Sequence, residues 1–159
     1  MLKKIIAGTL LSAMTLFALP SNELELMLLN KAVQKKTIVL ANMHLNGETK
    51  EKFSKLYDEY QDKLMKHRID ELKLIQDYAL KFNDMTDENA NKVITKWITV
   101  EEAELVLKKD YMAKFKKVMP SADVIRYFQI ENRLQLMVEV QKSSLIPLAQ
   151  PAPIKIDIK

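Results

Sequence analysis

Two histidines, His44 and His67, are the side chains of this sequence best suited to general acid–base catalysis near neutral pH. They lie on different predicted helices, and neither has a serine or aspartate neighbour at the spacing of a catalytic triad. The sequence has no cysteine for a thiol nucleophile and no Gly-x-Ser-x-Gly segment for a serine nucleophile. We therefore predict a protein without catalytic residues, in which both histidines are solvated surface groups.

Metal ligands are equally sparse. A helical zinc site needs two histidines one turn apart, as in His-x-x-x-His or His-Glu-x-x-His, and neither pattern occurs. The nine methionines are scattered without a Met-x-x-Met cluster, so no motif supports copper binding. Isolated thioethers usually fill irregular core space, although they can also form an adaptable surface for apolar partners. We predict no metal and no cofactor, and we favour the core role for the methionines.

Composition excludes two further classes of function. Only Gly8 and Gly47 are present, whereas Rossmann turns and P-loops need several glycines close to a phosphate. Without Lys3 and Lys4 the charge balance is 23 − 21 = +2, and basic residues alternate with acidic ones. Nucleic-acid binding usually requires a concentrated basic face. We therefore predict neither a phosphate-binding loop nor a nucleic-acid partner.

The first twenty residues have the pattern of a secretory signal. Lys3 and Lys4 precede an apolar run, Ile5–Leu19, which at 15 residues is shorter than the about 20 residues of a membrane-spanning helix. No cysteine follows the run, so a lipoprotein anchor is not expected. The alternative is an uncleaved N-terminal anchor. We predict export to the periplasm, with residues 1–20 as the signal peptide.

The remaining chain has the periodicity of an all-α protein. Proline is absent between Ser21 and Met119, and helix-forming residues dominate. We predict helices from about 23 to 43, 49 to 82, 86 to 118 and 121 to 145, with Gly47 as a left-handed cap and Thr49, Thr86 and Ser121 at N-termini. Short connections make successive helices antiparallel. The predicted fold is an antiparallel helical hairpin or bundle of about four helices over 21–148.

The C-terminal segment, residues 149–159, is predicted to be a separate tail. Pro147, Pro151 and Pro153 exclude a regular helix there. The alternation from Ile154 to Lys159 is compatible with an edge strand or with a flexible segment.

Charges interrupt the apolar faces of the predicted helices. Arg68 occupies a seam position between Leu64 and Leu72, and antiparallel pairing of the second and third helices gives facing residues whose numbers sum to about 170. That register places Arg68 level with Glu101 and Glu102. We predict a structural ion pair between Arg68 and one of these carboxylates. The alternative is that the arginine extends outward into solvent.

Two stretches give a resemblance to known proteins, Ile75–Ala90 and Arg126–Leu134 followed by Ile146-Pro147. Together they resemble a family of uncharacterised helical envelope proteins of proteobacteria. More distantly, the arrangement is similar to the Spy/CpxP periplasmic stress proteins, whose mark is a Leu-Thr-x-x-Gln motif at the start of a helix. The residues that carry the resemblance are Met85, Thr86 and Asn89 at the helix start, and Gln129, Glu131, Asn132 and Arg133 in the later run.

The resemblance implies a helical hairpin, often dimerised into a concave cradle, that binds unfolded polypeptides without ATP and without catalytic residues. Spare apolar surface on the first helix fits such a role. We predict a non-enzymatic, chaperone-like or stress-adaptor protein of the periplasm. The alternative is a sensor or regulatory partner whose helices bind the periplasmic domain of a membrane receptor or a metal ion. The candidate client-binding residues are Leu24, Leu26, Leu28 and Leu29.

The signal pattern predicts that the chain is exported and cleaved near Ala18 to Ser21. Mass spectrometry of the envelope fraction should therefore find no intact Met1 and a new N-terminus in this window. Detection of the whole chain in the envelope would contradict cleavage, and retention in the cytoplasm would contradict export.

Overall fold

The computed structural model describes residues 21–149, of which the side chains of 21–31, 141 and 145 are outside the description. This part of the chain is built from helices and contains no strand, which confirms the predicted all-α class. The predicted signal segment, 1–20, and residues 150–159 of the predicted tail lie outside the described residues. The helices are α1 (Ser21–Met43), α2 (Gly47–Lys81), α3 (Asp87–Phe115) and α4 (Ser121–Leu145), with a short 3-10 helix (Phe82–Asp84) after α2.

The connection between α1 and α2 differs from the prediction in its detail. Helix α1 ends at Met43 as predicted, but His44 takes the left-handed conformation behind it, with φ of 53°. Histidine tolerates this region better than most residues do. Gly47 also has a positive φ, 52°, and is the first residue of α2. The N-cap is Asn46, in extended conformation, so the prediction that Thr49 caps this helix was wrong.

The later helix ends follow local backbone chemistry. Thr86 caps α3 as predicted, because its Oγ1 accepts a hydrogen bond from the N–H of Asn89 at 3.2 Å. Helix α3 stops at Phe115, earlier than predicted, and the carbonyl of Phe115 accepts from the N–H groups of Val118 and Met119. Pro120, rather than Ser121, is the N-cap of α4.

The helices alternate in direction, as expected for short connections. Helix α2 packs mainly against α3, and α1 packs against α4. Across the α2–α3 pair the ring centroids of Tyr60 and Tyr111 are 5.1 Å apart, and those of Phe53 and Phe115 are 5.5 Å apart. These partners have residue numbers that sum to about 170, so the predicted register of this hairpin is confirmed.

One end of the bundle holds a dense aromatic core, to which all four helices contribute. Phe115 and Tyr127 lie at its centre, with ring centroids 4.7 Å apart. Their neighbours meet them in tilted and edge-to-face arrangements, which aromatic quadrupoles favour. The buried cluster comprises Val39, Met43, Phe53, Tyr57, Tyr60, Leu64, Tyr111, Phe115, Met119, Val124, Tyr127 and Phe128.

The methionines divide between the core and the surface. Met43 and Met119 are buried, and Met112 packs against the aromatic cluster, as the core role predicts. Met137 on α4 is instead exposed. Core filling therefore describes the methionines near the aromatic end, while the other half of the bundle keeps at least one thioether in contact with solvent.

The half of the bundle away from the aromatic core is packed less completely. Several apolar residues are exposed there, although their spacing of three and four residues along α3 and α4 predicts that they face inward, and the structure corrects this prediction. Apolar spacing identifies a face of a helix but does not determine how closely a neighbouring helix covers it. The residues concerned are Ile94, Trp97, Ile98 and Leu105 on α3, and Met137 and Val138 on α4.

Candidate functional site

The surface that stands out is an apolar strip where α3 and α4 run side by side. The Nζ of Lys108 on α3 donates a hydrogen bond to the Oδ1 of Asn132 on α4 at 2.9 Å, so these two positions lie on neighbouring sides of the two helices. Ile94, Trp97, Glu101, Leu105 and Lys108 follow one another at spacings of three and four residues on that side of α3.

The matching side of α4 is also apolar. Leu136 lies one helical turn beyond Asn132, as Leu105 lies one turn before Lys108, so the antiparallel helices bring these leucines level with each other. Val140 follows after another turn. Both α4 side chains are exposed. We call the strip formed by Ile94, Trp97 and Leu105 on α3 and by Leu136 and Val140 on α4 the α3–α4 seam.

Trp97 is the largest side chain of the seam and the only tryptophan of the chain. It is 54% exposed, and its Nε1–H donates a hydrogen bond to the Oε1 of Glu101 at 2.7 Å. This bond satisfies the indole N–H and leaves the ring faces available. A tryptophan with its polar atom satisfied and its apolar area open is typical of a residue that anchors an interface.

The seam is closed at the end next to the aromatic core. Lys108 bonds Asn132 there, and its Nζ lies 5.7 Å from the ring centroid of Phe128. At the other end, around Ile94, the described part of the chain places no comparable cross-link between α3 and α4. Among the described residues, side chains therefore bridge α3 and α4 at the Lys108 end of the seam and not at the Ile94 end. Glu101, which lies in the same row of α3 residues, and its neighbour Glu102 are both exposed.

A layer of charged side chains lies beneath the seam and joins three helices. Arg68 on α2 bonds Glu71 on the same helix at 3.2 Å, Glu104 on α3 at 3.1 Å and Glu139 on α4 at 3.4 Å. Lys142 bonds Glu71 and also Glu139, the latter at 2.5 Å. Two cations thus face three carboxylates that are each mostly shielded from solvent, and the cluster links α2, α3 and α4.

The predicted partners of Arg68 need correction. A structural ion pair is present, but its α3 carboxylate is Glu104, whereas Glu101 bonds Trp97 and Glu102 is exposed. The register rule places a partner only to within about one helical turn. Glu101, Glu102 and Glu104 all lie within one turn, and their side chains point in different directions. Only Glu104 points toward α2, on the side of α3 that carries Tyr111 and Phe115.

A second polar cluster fixes α1 to the bundle, and sequence reasoning did not find it. Glu131 on α4 is only 4% exposed, and its Oε1 accepts from Lys35 on α1 and, at 3.3 Å, from Gln61 on α2. Gln61 also donates to the hydroxyl of Tyr127 at 3.4 Å. Glu131 lies between Phe128 and Leu134 at helical spacing, which indicates a charge on the apolar face of α4, but spacing alone does not identify Lys35 among the lysines of α1 as its partner.

Burial perturbs the tyrosines around Glu131. Removal from water is the main cause that raises the pKa of Tyr57, Tyr60 and Tyr127 far above the usual range, and the nearby Glu131 carboxylate raises each of them further. Among the described residues, the hydroxyls of Tyr57 and Tyr111 and the Oε2 of Glu131 are buried without a hydrogen bond. Each such atom costs about 1–3 kcal/mol, so this part of the core contributes less than its ring contacts suggest.

The residues that carry the family resemblance do not meet in one site. Met85, Thr86 and Asn89 form the start of α3, where Thr86 acts as the helix cap. On α4, Glu131 is buried and Asn132 closes the seam, while Gln129 and Arg133 are exposed. The backbone of the client-binding candidates is part of α1, but the side chains of Leu24, Leu26, Leu28 and Leu29 lie outside the described ones.

Other kinds of site find no support in the described residues. Within 21–149 no three His, Asp or Glu side chains are arranged to hold a metal ion. His44 lies in the connection before α2, and His67 lies in the middle of that helix, so the two histidines are not brought together. None of the helices in the described range is both long and apolar enough to cross a membrane.

Comparison with protein-family models, with curated proteins and with solved structures found no match to this chain.

The Arg68 cluster generates a prediction about coupling. Arg68→Ala should lower the free energy of unfolding by about 1–3 kcal/mol, because it leaves Glu104 without a cation in a partly shielded site. Adding Glu104→Ala should recover about 0.5–1 kcal/mol of that loss, since the stranded carboxylate is removed. Urea denaturation followed by circular dichroism measures both effects.

Glu101→Ala and Lys52→Ala are the matched controls for this prediction. Glu101 lies one turn from Glu104 but does not bond Arg68, so its effect should add to that of Arg68→Ala. Lys52 forms an exposed pair with Glu48, and its loss should cost under about 0.5 kcal/mol. Equal coupling of Arg68 to Glu101 and to Glu104 would contradict the assignment.

The tyrosine core generates a prediction about alkaline stability. In the unfolded chain these phenols ionise near pH 10, but in the folded core their pKa is raised. The folded state therefore holds more protons above about pH 10, and the free energy of unfolding should fall as pH rises beyond it. Absorbance at 295 nm should show Tyr57, Tyr60 and Tyr127 ionising only together with the loss of helical ellipticity.

Tyr57→Phe identifies the late step of that titration. It should reduce the amplitude of the late absorbance change, because one of the phenols that ionises only on unfolding is removed, without altering any absorbance change that precedes unfolding. Ionisation of all five tyrosines with the helical signal intact would show that the core admits hydroxide and that the burial of these phenols is not maintained.

Proposed function

We propose that this chain is a non-enzymatic, chaperone-like protein of the periplasm that holds unfolded or partner polypeptides on an apolar helical surface. The observation that carries the proposal is the α3–α4 seam. Its apolar side chains are about half-exposed or more, whereas the aromatic side chains at the other end of the same bundle are buried. Several exposed apolar side chains on neighbouring sides of two helices favour binding, because only single scattered ones need no explanation.

The chemistry of the seam favours extended or partly unfolded chains as partners. Trp97 and the aliphatic residues around it offer contact area without a set of directed polar groups, so they select apolar side chains rather than one shape. Glu101 and Glu102 on one side and Lys108 at the closed end keep the rim charged and soluble. Contacts of this type are weak and adaptable.

The polar layer beneath the seam supports the same role. Arg68 and Lys142 hold α2, α3 and α4 together through carboxylates, so the helices keep their positions without closing the seam over an apolar core. Burying Trp97 and Leu105 inside the bundle would require α3 to approach α4 more closely, and the charged layer is an obstacle to that. The binding surface is therefore preformed, which lowers the cost of association.

The same proposal extends to α1. Its N-terminal half has more apolar side chains than one packed face requires, and the sequence predicts four of them as client-binding residues, Leu24, Leu26, Leu28 and Leu29. We propose the seam as the main surface and the N-terminal half of α1 as an addition to it.

The proposal predicts that the exported chain slows the aggregation of an unrelated unfolded protein without ATP. Leu105→Ser should lose most of this protection because it interrupts the centre of the seam. Light scattering at several protein-to-client ratios, in low and moderate salt, measures the effect. Circular dichroism of each variant verifies that the bundle is intact.

Val106→Ser is the matched control. Val106 is the next residue on α3 and is more exposed than Leu105, 65% against 49%, but it points away from α4. Equal loss of protection in both variants would mean that general hydrophobicity, and not the seam, is responsible. No protection by the parent chain at several-fold molar excess would reject the chaperone-like role and favour the regulatory-partner alternative.

A further inference from the structure

The described part of α1 binds to α2 and α4 through side chains spaced along one face. Val39 and Met43 enter the aromatic cluster, so they supply the apolar contact. The polar contacts that accompany them are Lys35 with Glu131, Lys35 with Gln61, Lys36 with Asp58, and Arg126 with the carbonyl of Asn42. We call the surface of α2 and α4 that carries Asp58, Gln61, Arg126 and Glu131 the α1 site.

The connection from α1 to α2 depends on two left-handed residues. His44 has φ of 53° and Gly47 has φ of 52°, and both are exposed. Residues other than glycine rarely adopt this conformation, because their Cβ crowds the backbone. A Cβ at Gly47 would have no other described group within 4 Å, so the backbone conformation, and not a lack of space, favours glycine there. The reversal of chain direction after α1 is therefore sensitive to substitution at both positions.

The inner faces of α1 and α2 keep one spacing through this connection. The steps alternate between four and three residues, which in a single helix places the residues along one stripe. Six of the eight residues are buried, and the two exposed ones, Asn46 and Lys50, lie where the chain reverses. If residues 44–46 became helical, both inner faces would therefore align along one long helix. The eight positions are Val39, Met43, Asn46, Lys50, Phe53, Tyr57, Tyr60 and Leu64.

Such a long helix would carry α1 beyond the end of α2 and leave its own α1 site empty. A second chain opened in the same way can fill that site. In the single chain, the pairs Lys36–Asp58 and Lys35–Gln61 have residue numbers that sum to about 95. An antiparallel arrangement of two chains about a two-fold axis near Gly47 places the same residue numbers level with each other. The contacts between α1 and the α1 site can then form between two copies.

We propose that the α1 site also binds α1 of a second copy, so that two chains exchange their first helices when the connection between α1 and α2 becomes helical. Because α1 makes the same contacts in both states, the equilibrium depends on the connection and on protein concentration. The partner is an identical chain, recognised by the lysines and apolar side chains of α1. The exchange uses no residue of the α3–α4 seam, so it does not depend on the proposed function.

Two substitutions in the connection should move this equilibrium in opposite directions. Gly47→Ala penalises the left-handed conformation and favours a helix, so the dissociation constant of the dimer should fall about a hundredfold, which is about tenfold for each of the two connections. His44→Gly removes the Cβ from a left-handed residue and disfavours a helix, so the constant should rise by a similar factor. Sedimentation equilibrium measures the constant after refolding from urea at micromolar to millimolar protein concentrations.

Lys55→Gly is the matched control. Lys55 is exposed within α2, which is helical in both states, so this substitution should lower stability without changing the dissociation constant. Circular dichroism checks that each variant remains helical. A Gly47→Ala chain that stays monomeric at millimolar concentration would overturn the inference. A change of the dissociation constant in the same direction by Gly47→Ala and His44→Gly would also overturn it.

Cross-linking identifies the surface that joins the two chains. The chain has no cysteine, so Lys36→Cys with Asp58→Cys introduces a single pair across the α1 site. In the Gly47→Ala dimer, a short bismaleimide should join this pair between chains and give a covalent dimer on a denaturing gel. Asp77→Cys with Lys96→Cys, a pair across α2 and α3, should be joined within one chain in both states. A dimer whose α1-site cysteines are joined only within each chain would overturn the exchange, because another surface would then hold the two chains together.

Discussion

The packing of seven aromatic rings at one end of the bundle is the interaction on which the rest of the structure depends. The rings come from α2, α3 and α4, Val39 and Met43 of α1 pack with them, and Phe115 and Tyr127 contact each other at the centre. This cluster supplies the apolar burial that fixes helix directions and register. Because the folded state is secured there, the other half of the molecule can leave apolar side chains in contact with solvent without losing the fold.

Two clusters of polar side chains connect the helices outside the aromatic contacts. Lys35 and Glu131 attach α1 through a buried carboxylate, and Arg68 connects α2, α3 and α4 beside the seam. Partly exposed ion pairs contribute little net stability, but removing only one partner of a pair is costly because the other charge is left without a partner. These contacts therefore determine the positions of the helices more than they stabilise the bundle. An apolar layer at the same place would draw α3 and α4 together and close the seam.

The sequence allowed the fold to be predicted where a single residue decides the local backbone. Thr86 and the proline after Met119 mark helix ends by their own chemistry, and the α2–α3 register follows from a short turn. The site was predicted less well. The periodicity of α3 indicated that Trp97 and Leu105 share an apolar face, but only packing reveals that no helix covers it. The partner of Arg68 required directional information that a register rule does not contain, since Glu101, Glu102 and Glu104 all lie within one turn.

The two ends of the bundle differ in how completely they are packed. A bundle with uniform packing would have no exposed apolar surface, and one with uniform exposure would not keep its helices in place. Here the unpaired hydroxyls of Tyr57 and Tyr111 show that even the aromatic end carries polar atoms at a cost, so its stability comes from ring contacts and volume rather than from saturated hydrogen bonding. The stability of the aromatic end allows α3 and α4 to stay apart where the charged side chains lie between them. The exposed seam is therefore a consequence of how the core and the Arg68 cluster are placed along the same helices.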